Sequence, residues 1–219
     1  MHRQFARVPR NGRRSWIANS VRNVIFDLGG VVFRWDPQRI VRSFYADDTL
    51  HQPILTEVFQ HPDWIELDRG TLDEPDAIHR FRMRTGRSAE EMQALMHATR
   101  ESLLPITETI DLINELAEQG VPLYCLSNAA TRTFDFLRER HDVFAHFRGV
   151  VISGAIKLIK PDPKIFHHIS ERYDLAPGDT IFVDDNLPNI ESAARLGFHT
   201  VHFRDSRQCR TELMPLLNR

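Results

Sequence analysis

Short, mostly apolar runs recur along the chain, and each ends in polar residues or is bounded by them. Runs of this length, rich in β-branched and aromatic residues, predict buried strands. Between them lie longer segments whose apolar residues recur every three or four positions, as in helices. Strand alternating with helix predicts a parallel sheet with right-handed crossovers. The predicted strands are 23–26, 121–126, 149–153, 180–184 and 199–203.

The segment between the first two strands shows only helical patterns. Pro37 suits the first turn of a helix. Thr71 with Glu74, and Ser88 with Glu91, fit capping boxes that start two further helices. With a further helical segment that holds Ile54, Leu55, Val58 and Phe59, we predict four short helices that form a lid. The predicted organisation is a basic extension at 1–21, an α/β core at 22–36 and 105–219, and a helical lid at 37–104.

The first strand runs directly into Asp27, Gly29 and Gly30. Glycines let the backbone leave a strand in conformations that a Cβ would forbid. Ligands of open α/β sheets bind outside the carboxyl ends of strands, so Asp27 is predicted to lie at a ligand site. The fourth strand ends in Asp184 and Asp185, and adjacent carboxylates are costly unless a cation shares them.

Two further motifs lie between these strands. Ser127 and Asn128 follow the second strand, and Lys160 precedes a proline-rich helix start. Lys157 is the alternative to Lys160. An acid, a hydroxyl with an amide, a lysine and a pair of acids are the groups that a phosphoryl-transfer site needs.

In this order the four motifs resemble those of the haloacid dehalogenase superfamily of hydrolases. One subgroup that is similar to this chain includes bacterial sugar-1-phosphate phosphatases and the phosphatase domain attached to soluble epoxide hydrolases. The resemblance implies a doubly wound α/β sheet of order 5-4-1-2-3 with a helical cap inserted after strand one. Strands one and four then lie side by side, which brings Asp27 to the acid pair.

The resemblance also implies a Mg²⁺-dependent phosphomonoester hydrolase for a small phosphorylated metabolite, with a sugar phosphate favoured. Asp27 is the expected nucleophile, forming an aspartyl-phosphate. The expected Mg²⁺ ligands are Asp27, the carbonyl of Gly29 and Asp185, with Asp184 behind them. Which of the two paired acids touches the metal stays open, because a one-residue error in the predicted strand end would exchange Asp184 and Asp185.

Three other side chains complete the predicted site. By the same resemblance, Ser127 and Asn128 donate hydrogen bonds to the phosphoryl oxygens, and Lys160 neutralises charge on the nucleophile and the phosphate. Lys160 is preferred to Lys157 because it directly precedes the helix start, as the lysine of the family does.

Gly29 departs from the family pattern. Most phosphatases of the superfamily carry a second aspartate at this position, where it protonates the leaving oxygen, a contribution of about 10²–10⁴-fold. The subgroup also has Asp-Leu-Gly and includes active members. We therefore expect substrates whose leaving group needs little protonation, such as an anomeric hydroxyl. Asp36 either replaces the acid or caps the helix that starts at Pro37, and the cap is the favoured interpretation.

Some candidates stay open. Residues 68–70 predict a turn, and Trp64, Asp68 and Arg69 either face the substrate or form lid core and a solvated turn. The pair His167 and His168 has no partners at metal-ligand spacing and is interpreted as surface and packing.

Composition restricts the class of protein. Apolar residues make up 42% of the 219 residues and charged residues 26%, as in ordinary globular proteins. No apolar run approaches membrane-spanning length, so we expect no membrane partner. Cys125 and Cys209 make no disulfide framework, and the cytoplasm is the expected location.

Charge is unevenly distributed. Residues 1–22 hold six arginines and no acid, which leaves 22 basic and 30 acidic residues in the remainder, a net charge of −8. An acidic body argues against a nucleic-acid partner. The arginine-rich start fits a disordered tail or a transit peptide, and the tail is favoured.

Two rival functions remain. A 2-haloacid dehalogenase uses the same aspartate without a metal, but the acid pair would repel its carboxylate substrate. A catalytically weak binding or regulatory protein is the other rival, and Gly29 is its support. The sequence leaves the oligomeric state open.

Overall fold

The computed structural model describes residues 21–217, so the arginine-rich start lies outside the described residues except for its last two positions. Its centre is a five-stranded parallel sheet of order β3-β2-β1-β4-β5. This is the order that the resemblance implied, and the predicted α/β class is confirmed. The strands are β1 (Asn23–Phe26), β2 (Leu123–Ser127), β3 (Phe147–Ile152), β4 (Thr180–Asp184) and β5 (His199–His202).

The position of β1 determines where a site can form. Phe26, its last residue, pairs with Cys125 of β2 on one side and with Val183 of β4 on the other. The chain order reverses at this point, because β2 and β3 lie to one side and β4 and β5 to the other. Such a switch point leaves a crevice at the carboxyl ends of the strands.

Helices cover both faces of the sheet. Val24 and Phe26 pack on one face with the helices Thr107–Glu118 and Ser206–Leu217, whereas Ile25 packs on the other with the helices Pro163–Tyr173 and Leu187–Arg195. This alternation follows from the two-residue period of a strand. The helices are α1 (Pro37–Phe44), α2 (His51–Ile54), α3 (Pro62–Arg69), α4 (Glu74–Thr85), α5 (Ala89–Glu101), α6 (Thr107–Glu118), α7 (Thr131–Arg138), α8 (Ser153–Ile156), α9 (Pro163–Tyr173), α10 (Leu187–Arg195) and α11 (Ser206–Leu217).

The helices α1 to α5 share a hydrophobic cluster of their own, joined by Ala130 from the loop after β2. The chain enters and leaves this region through two adjacent segments, which we call the neck. There Arg34 N donates to Leu104 O, and Ile106 N donates to Val32 O, both at 2.8 Å. The exact boundaries of core and lid stay a prediction.

Several helix starts confirm the sequence signals. Pro37 lies in the first turn of α1, and Asp36 caps that helix by accepting from Arg39 N at 2.9 Å. Ser88 caps α5 by accepting from Glu91 N at 3.1 Å.

Other local predictions were wrong. Asp73, not Thr71, caps α4, since the Asp73 carboxylate accepts from Asp76 N. Residues 68–70 are not an isolated turn, because Asp68 and Arg69 end α3 and Gly70 forms its left-handed C-cap at φ 78°.

Strand starts also differ from the predictions. The strand β2 starts two residues later than predicted. Val121 N donates to Leu116 O at the end of α6, and Pro122 has no amide hydrogen, so neither residue can donate to a neighbouring strand. The strand β3 starts earlier, at Phe147. None of the helices within 21–217 has the length and apolar character needed to cross a membrane.

Candidate active site

Three carboxylates meet at the switch point. Asp27 follows β1, and Asp184 with Asp185 ends the neighbouring β4, so pairing of these strands brings all three together. One oxygen from each lies within 4.8 Å of the others. Gly30 makes this approach possible: its φ is +77°, and a Cβ there would overlap the carboxylate of Asp185.

Lys160 joins two of these acids. Its ammonium lies 2.7 Å from Asp184 Oδ2 and 2.9 Å from Asp27 Oδ1, and it donates to Leu126 O at 2.9 Å. Burial lowers the pKa of Lys160, but the two carboxylates outweigh burial and hold it above its usual range. Lys157, the alternative, is exposed.

The two members of the acid pair differ in surroundings. Asp184 is fully buried, and its oxygens accept from Lys160, from Asn189 Nδ2 at 3.0 and 3.1 Å, and from Asn186 N at 2.8 Å. Asp185 is exposed to the cavity beside Asp27. Asp185 is therefore the member with oxygens available to a ligand.

The charges of the site fit a divalent cation. Burial raises the pKa of Asp27 to about 7; Lys160 opposes this rise, and the charges of Asp184 and Asp185 add to it. Partial burial and the charge of Asp184 also raise the pKa of Asp185. One lysine thus faces three carboxylates, and hard carboxylate oxygens are the donors that Mg²⁺ prefers.

Asn128 and Lys160 hold each other in place. Asn128 Nδ2 donates to Lys160 O at 3.0 Å, and Lys160 N donates to Asn128 Oδ1 at 2.9 Å. Asn128 therefore orients Lys160, a contact that its predicted role as a phosphate donor did not include. Ser127 is buried and lines the same cavity.

A cavity of about 410 Å³ opens above these residues. Polar side chains form its floor at the carboxyl ends of the strands, and the helical region supplies walls that are largely apolar. Trp64 lies at the centre of an aromatic group, 4.8 Å from Phe59 and 5.7 Å from Trp35 between ring centroids. The apolar walls include Phe33, Trp35, Phe59, Trp64, Met96 and Leu103.

The open candidates are now placed. Trp64 and Asp68 line the cavity, whereas Arg69 forms an ion pair with Glu66. Asp36 caps α1 and lines a separate groove, away from Asp27. His167 is exposed and His168 half-buried on α9, outside the acidic cluster.

Sequence reasoning missed two contributors. Asn189 donates to both oxygens of Asp184, and its signal was only its position one helical turn after Asn186. Arg100 lines the cavity while it pairs with Glu74 at 2.8 Å, a contact between α4 and α5 that no local pattern reveals.

Comparison with known proteins decides the family. The sequence model of the haloacid dehalogenase-like hydrolases matches residues 21–197. The chain belongs to this family. Its predicted membership and its predicted class, a hydrolase enzyme, are thereby confirmed.

Two curated relatives of this haloacid dehalogenase-like hydrolase are phosphatases by name. The sesquiterpene phosphatase astK of Aspergillus oryzae is 31% identical over 88% of this chain and 95% of its own. The D-ribitol-5-phosphate phosphatase of Bacteroides thetaiotaomicron is 27% identical over 90% of this chain and 99% of its own.

A solved structure shares the fold. A family enzyme of Bacteroides thetaiotaomicron, in complex with magnesium and inorganic phosphate, superposes with a TM-score of 0.71 at 24% identity. The match covers 84% of this chain and 94% of that one.

Proposed function

We propose that this hydrolase cleaves phosphomonoesters with Mg²⁺ through an aspartyl-phosphate on Asp27. The observation that carries the proposal is the acidic cluster, in which three carboxylates, that of the nucleophile among them, face one lysine. This charge pattern would repel an anionic substrate unless a cation offsets it. The two phosphatase relatives support the same reaction class.

Different residues have different roles in the proposed reaction. Leu28 N and the Lys160 ammonium both contact Asp27 Oδ1, at 2.7 and 2.9 Å. Neither contact involves Asp27 Oδ2, and we assign Oδ2 as the oxygen that attacks phosphorus. Ser127 donates to a phosphoryl oxygen, and Lys160 stabilises the charge that develops there.

Asp27, Asp185 and the carbonyl of Gly29 would hold Mg²⁺, while Asp184 keeps Lys160 in place from behind. The metal would neutralise charge on the phosphoryl group as the bond to Asp27 forms.

The residues of the cavity walls indicate which class of substrate the site favours. A sugar needs polar partners, but the two polar side chains that α5 contributes to the cavity are engaged, Thr99 Oγ1 with Leu95 O at 2.8 Å and Arg100 with Glu74. The aromatic walls instead favour an alcohol with an apolar body, the class that the name of the Aspergillus relative suggests. Phosphates of apolar alcohols therefore stand beside sugar phosphates as candidate substrates.

The test is phosphate release from sugar phosphates, a terpenyl phosphate and nitrophenyl phosphate, with Mg²⁺ and with chelator. We expect release that requires Mg²⁺ and is lost in Asp27→Asn by at least about 10³-fold, because the variant has no nucleophile. Asp111→Asn, an exposed change on α6, is the matched control and should match the wild type.

Other outcomes identify the rivals. Halide release from chloroacetate without metal, and no phosphate release, would support a dehalogenase instead. A folded protein that binds Mg²⁺ and releases phosphate from no substrate would support a binding or regulatory role.

A further inference from the structure

The position that carries an acid in most phosphatases of this superfamily cannot supply one here. Residue 29 is glycine, and a Cβ built on it would lie 3.7 Å from Trp35 Cβ and 3.9 Å from Trp35 Cγ. These are ordinary contact distances, so Trp35 is the neighbour of this position, and the glycine itself carries no group that could hold a proton. A proton donor for the leaving oxygen has to come from another element.

The lid supplies a candidate. Within residues 21–217, the carboxylates that line the cavity are those of Asp27, Asp68 and Asp185. Asp27 is the proposed nucleophile, and Asp185 lies beside it in the acidic cluster. Asp68, on the last turn of α3, is the remaining acid, and it lies in the helical region that lines the cavity.

Asp68 is tied to the core by its own backbone and side chain. Its carbonyl accepts from Ser153 Oγ at 2.5 Å, and its Oδ1 accepts from Ala130 N at 3.3 Å. Ser153 Oγ in turn accepts from Ala129 N at 2.9 Å. Asp68 is thus positioned by the loop that directly follows Ser127 and Asn128, where the phosphoryl group is proposed to bind.

The surroundings favour a carboxyl that keeps its proton. Burial raises the pKa of Asp68 to about 7; hydrogen bonds from Ala130 and Trp64 lower it, and the charge of Asp27 raises it further. Lys160 and Arg100, the cations that line the cavity, are paired with other acids.

Among residues 21–217, the other elements packed on α3 leave Asp68 without a cation of its own. Arg80 and Arg84 of α4 bind Asp63, and Glu57 of the preceding π-helical turn pairs with Arg84. The short helix α8 contains no titratable residue.

We infer that Asp68 is the general acid and base of the phosphatase, an inference that rests on the proposed function. As Asp27 forms its bond to phosphorus, the bond from phosphorus to the substrate oxygen breaks, and that oxygen takes the proton of Asp68. The alcohol leaves, and Asp68 becomes a carboxylate. It then takes a proton from a water that attacks phosphorus, which releases phosphate, frees Asp27 and restores the Asp68 proton.

The competing account makes Asp68 a structural contact between lid and core. The variant Asp68→Asn distinguishes the catalytic role from the structural one, because asparagine keeps an oxygen that accepts from Ala130 N but cannot transfer a proton. Asp68→Glu keeps the carboxyl and serves as the conservative variant. Asp111→Asn is again the surface control.

The experiment compares an alkyl phosphate, a poor leaving group, with nitrophenyl phosphate, a good one. In Asp68→Asn we expect kcat/KM for the alkyl ester to fall about 10²-fold or more, and that for the nitrophenyl ester to stay within about threefold. Because the second step also lacks its base, a burst of one nitrophenolate per enzyme should precede slow turnover. Asp68→Glu should recover part of the alkyl activity.

Specific results would overturn the inference. Unchanged alkyl activity in Asp68→Asn, or equal losses on both esters without a burst, would reduce Asp68 to a structural contact. If the variant does not fold, the wild type is tested with esters of graded leaving-group pKa, where a flat response is expected and a steep one rejects the inference. Loss of the proposed function itself would appear as a wild type inactive on both esters.

Discussion

Lys160 pairs with two buried acids, Asp27 and Asp184, and offsets their charge. Its ammonium lies within 2.9 Å of carboxylate oxygens of both Asp27 and Asp184, and all three side chains are nearly or fully removed from water. Buried charges of this kind are tolerated only while they are paired. We therefore expect Lys160 to serve stability as well as the proposed chemistry.

The prediction that follows concerns Lys160→Met. The change leaves Asp27 and Asp184 without their cation, so we expect a loss of about 3 kcal/mol in the free energy of unfolding. We also expect phosphate release to become undetectable. Urea unfolding measures the first quantity, and excess Mg²⁺ should restore part of it by sharing the acids.

Lys157→Met is the matched control, since Lys157 is exposed and lies three residues away. Its unfolding free energy should stay within about 0.5 kcal/mol of the wild type. Comparable losses in both variants would contradict the role that we give to Lys160.

Residues at strand ends could be predicted from the sequence, because the pattern that ends a strand also presents the next side chain. Asp27 and the acid pair at 184–185 were found in this way, and the structure brings them together. Asn189 could not be found, and the choice between the two interpretations of Asp68 could not be made. Their contacts join Asp184 to a helix and α3 to the loop after β2, and neither leaves a local pattern.

At the scale of elements, α3 was the main omission. It is short, and Leu67 is its one buried apolar side chain, so it shows no apolar period. Pro62 at its start and Gly70 at its end are typical helix boundary signals that were present in the sequence. The long helices with a full apolar face, such as α6, were predicted without difficulty.

An ion pair fixes α3 to α4. Asp63 is buried, and its carboxylate binds Arg84 at 2.7 Å and Arg80 at 2.9 Å. Burial alone would raise the pKa of Asp63, but hydrogen bonds and charge from the two arginines outweigh it and hold the pKa below its usual value. The contact therefore stabilises the protein most when Asp63 is ionised.

We predict that Asp63→Asn lowers the free energy of unfolding by about 1–2 kcal/mol at neutral pH, allowing for the partial exposure of the arginines. A lowered folded-state pKa means that this stability is present above pH about 4 and is lost as pH falls further. Urea unfolding of wild type and variant across pH should therefore converge in acid. A difference that stays constant down to low pH would show that the ion pair is not its source.

At the scale of the molecule, the lid rests on the core at a contact between two glycines. Gly70 has a φ of +78°, and a Cβ there would overlap the carbonyl oxygen of Gly154 at the start of α8. This approach also brings Asp68 within reach of Ser153 and Ala130. The fit of lid to core therefore requires glycine at position 70.

Gly70→Ala should separate α3 from α8. We expect a loss of about 2–3 kcal/mol in stability and a fall in kcat/KM, since strain at positive φ adds to the overlap. Gly86→Ala is the control, because Gly86 has a φ of +68° with nothing within 4 Å of its Cβ position. It should cost about 1 kcal/mol and leave activity intact. Equal effects would mean that backbone strain alone matters at position 70.

The strand order and the family could be predicted from motif order, because each motif is local and the order of strands follows from the resemblance. The shape of the cavity could not. Its walls depend on how the lid lies on the core, and the contacts that decide this join residues far apart in sequence, such as Asp68 and Ser153.

The neck has a consequence for how such enzymes diversify. Because Arg34 pairs with Leu104, and Val32 with Ile106, the two ends of residues 37–104 lie next to each other. A segment held at adjacent points can be lengthened, shortened or exchanged at little cost in chain entropy and without breaking the sheet. A related enzyme can therefore change its substrate range through this segment while its sheet stays the same, provided that the new lid keeps the acid of position 68 and the glycine contact of position 70 with the core.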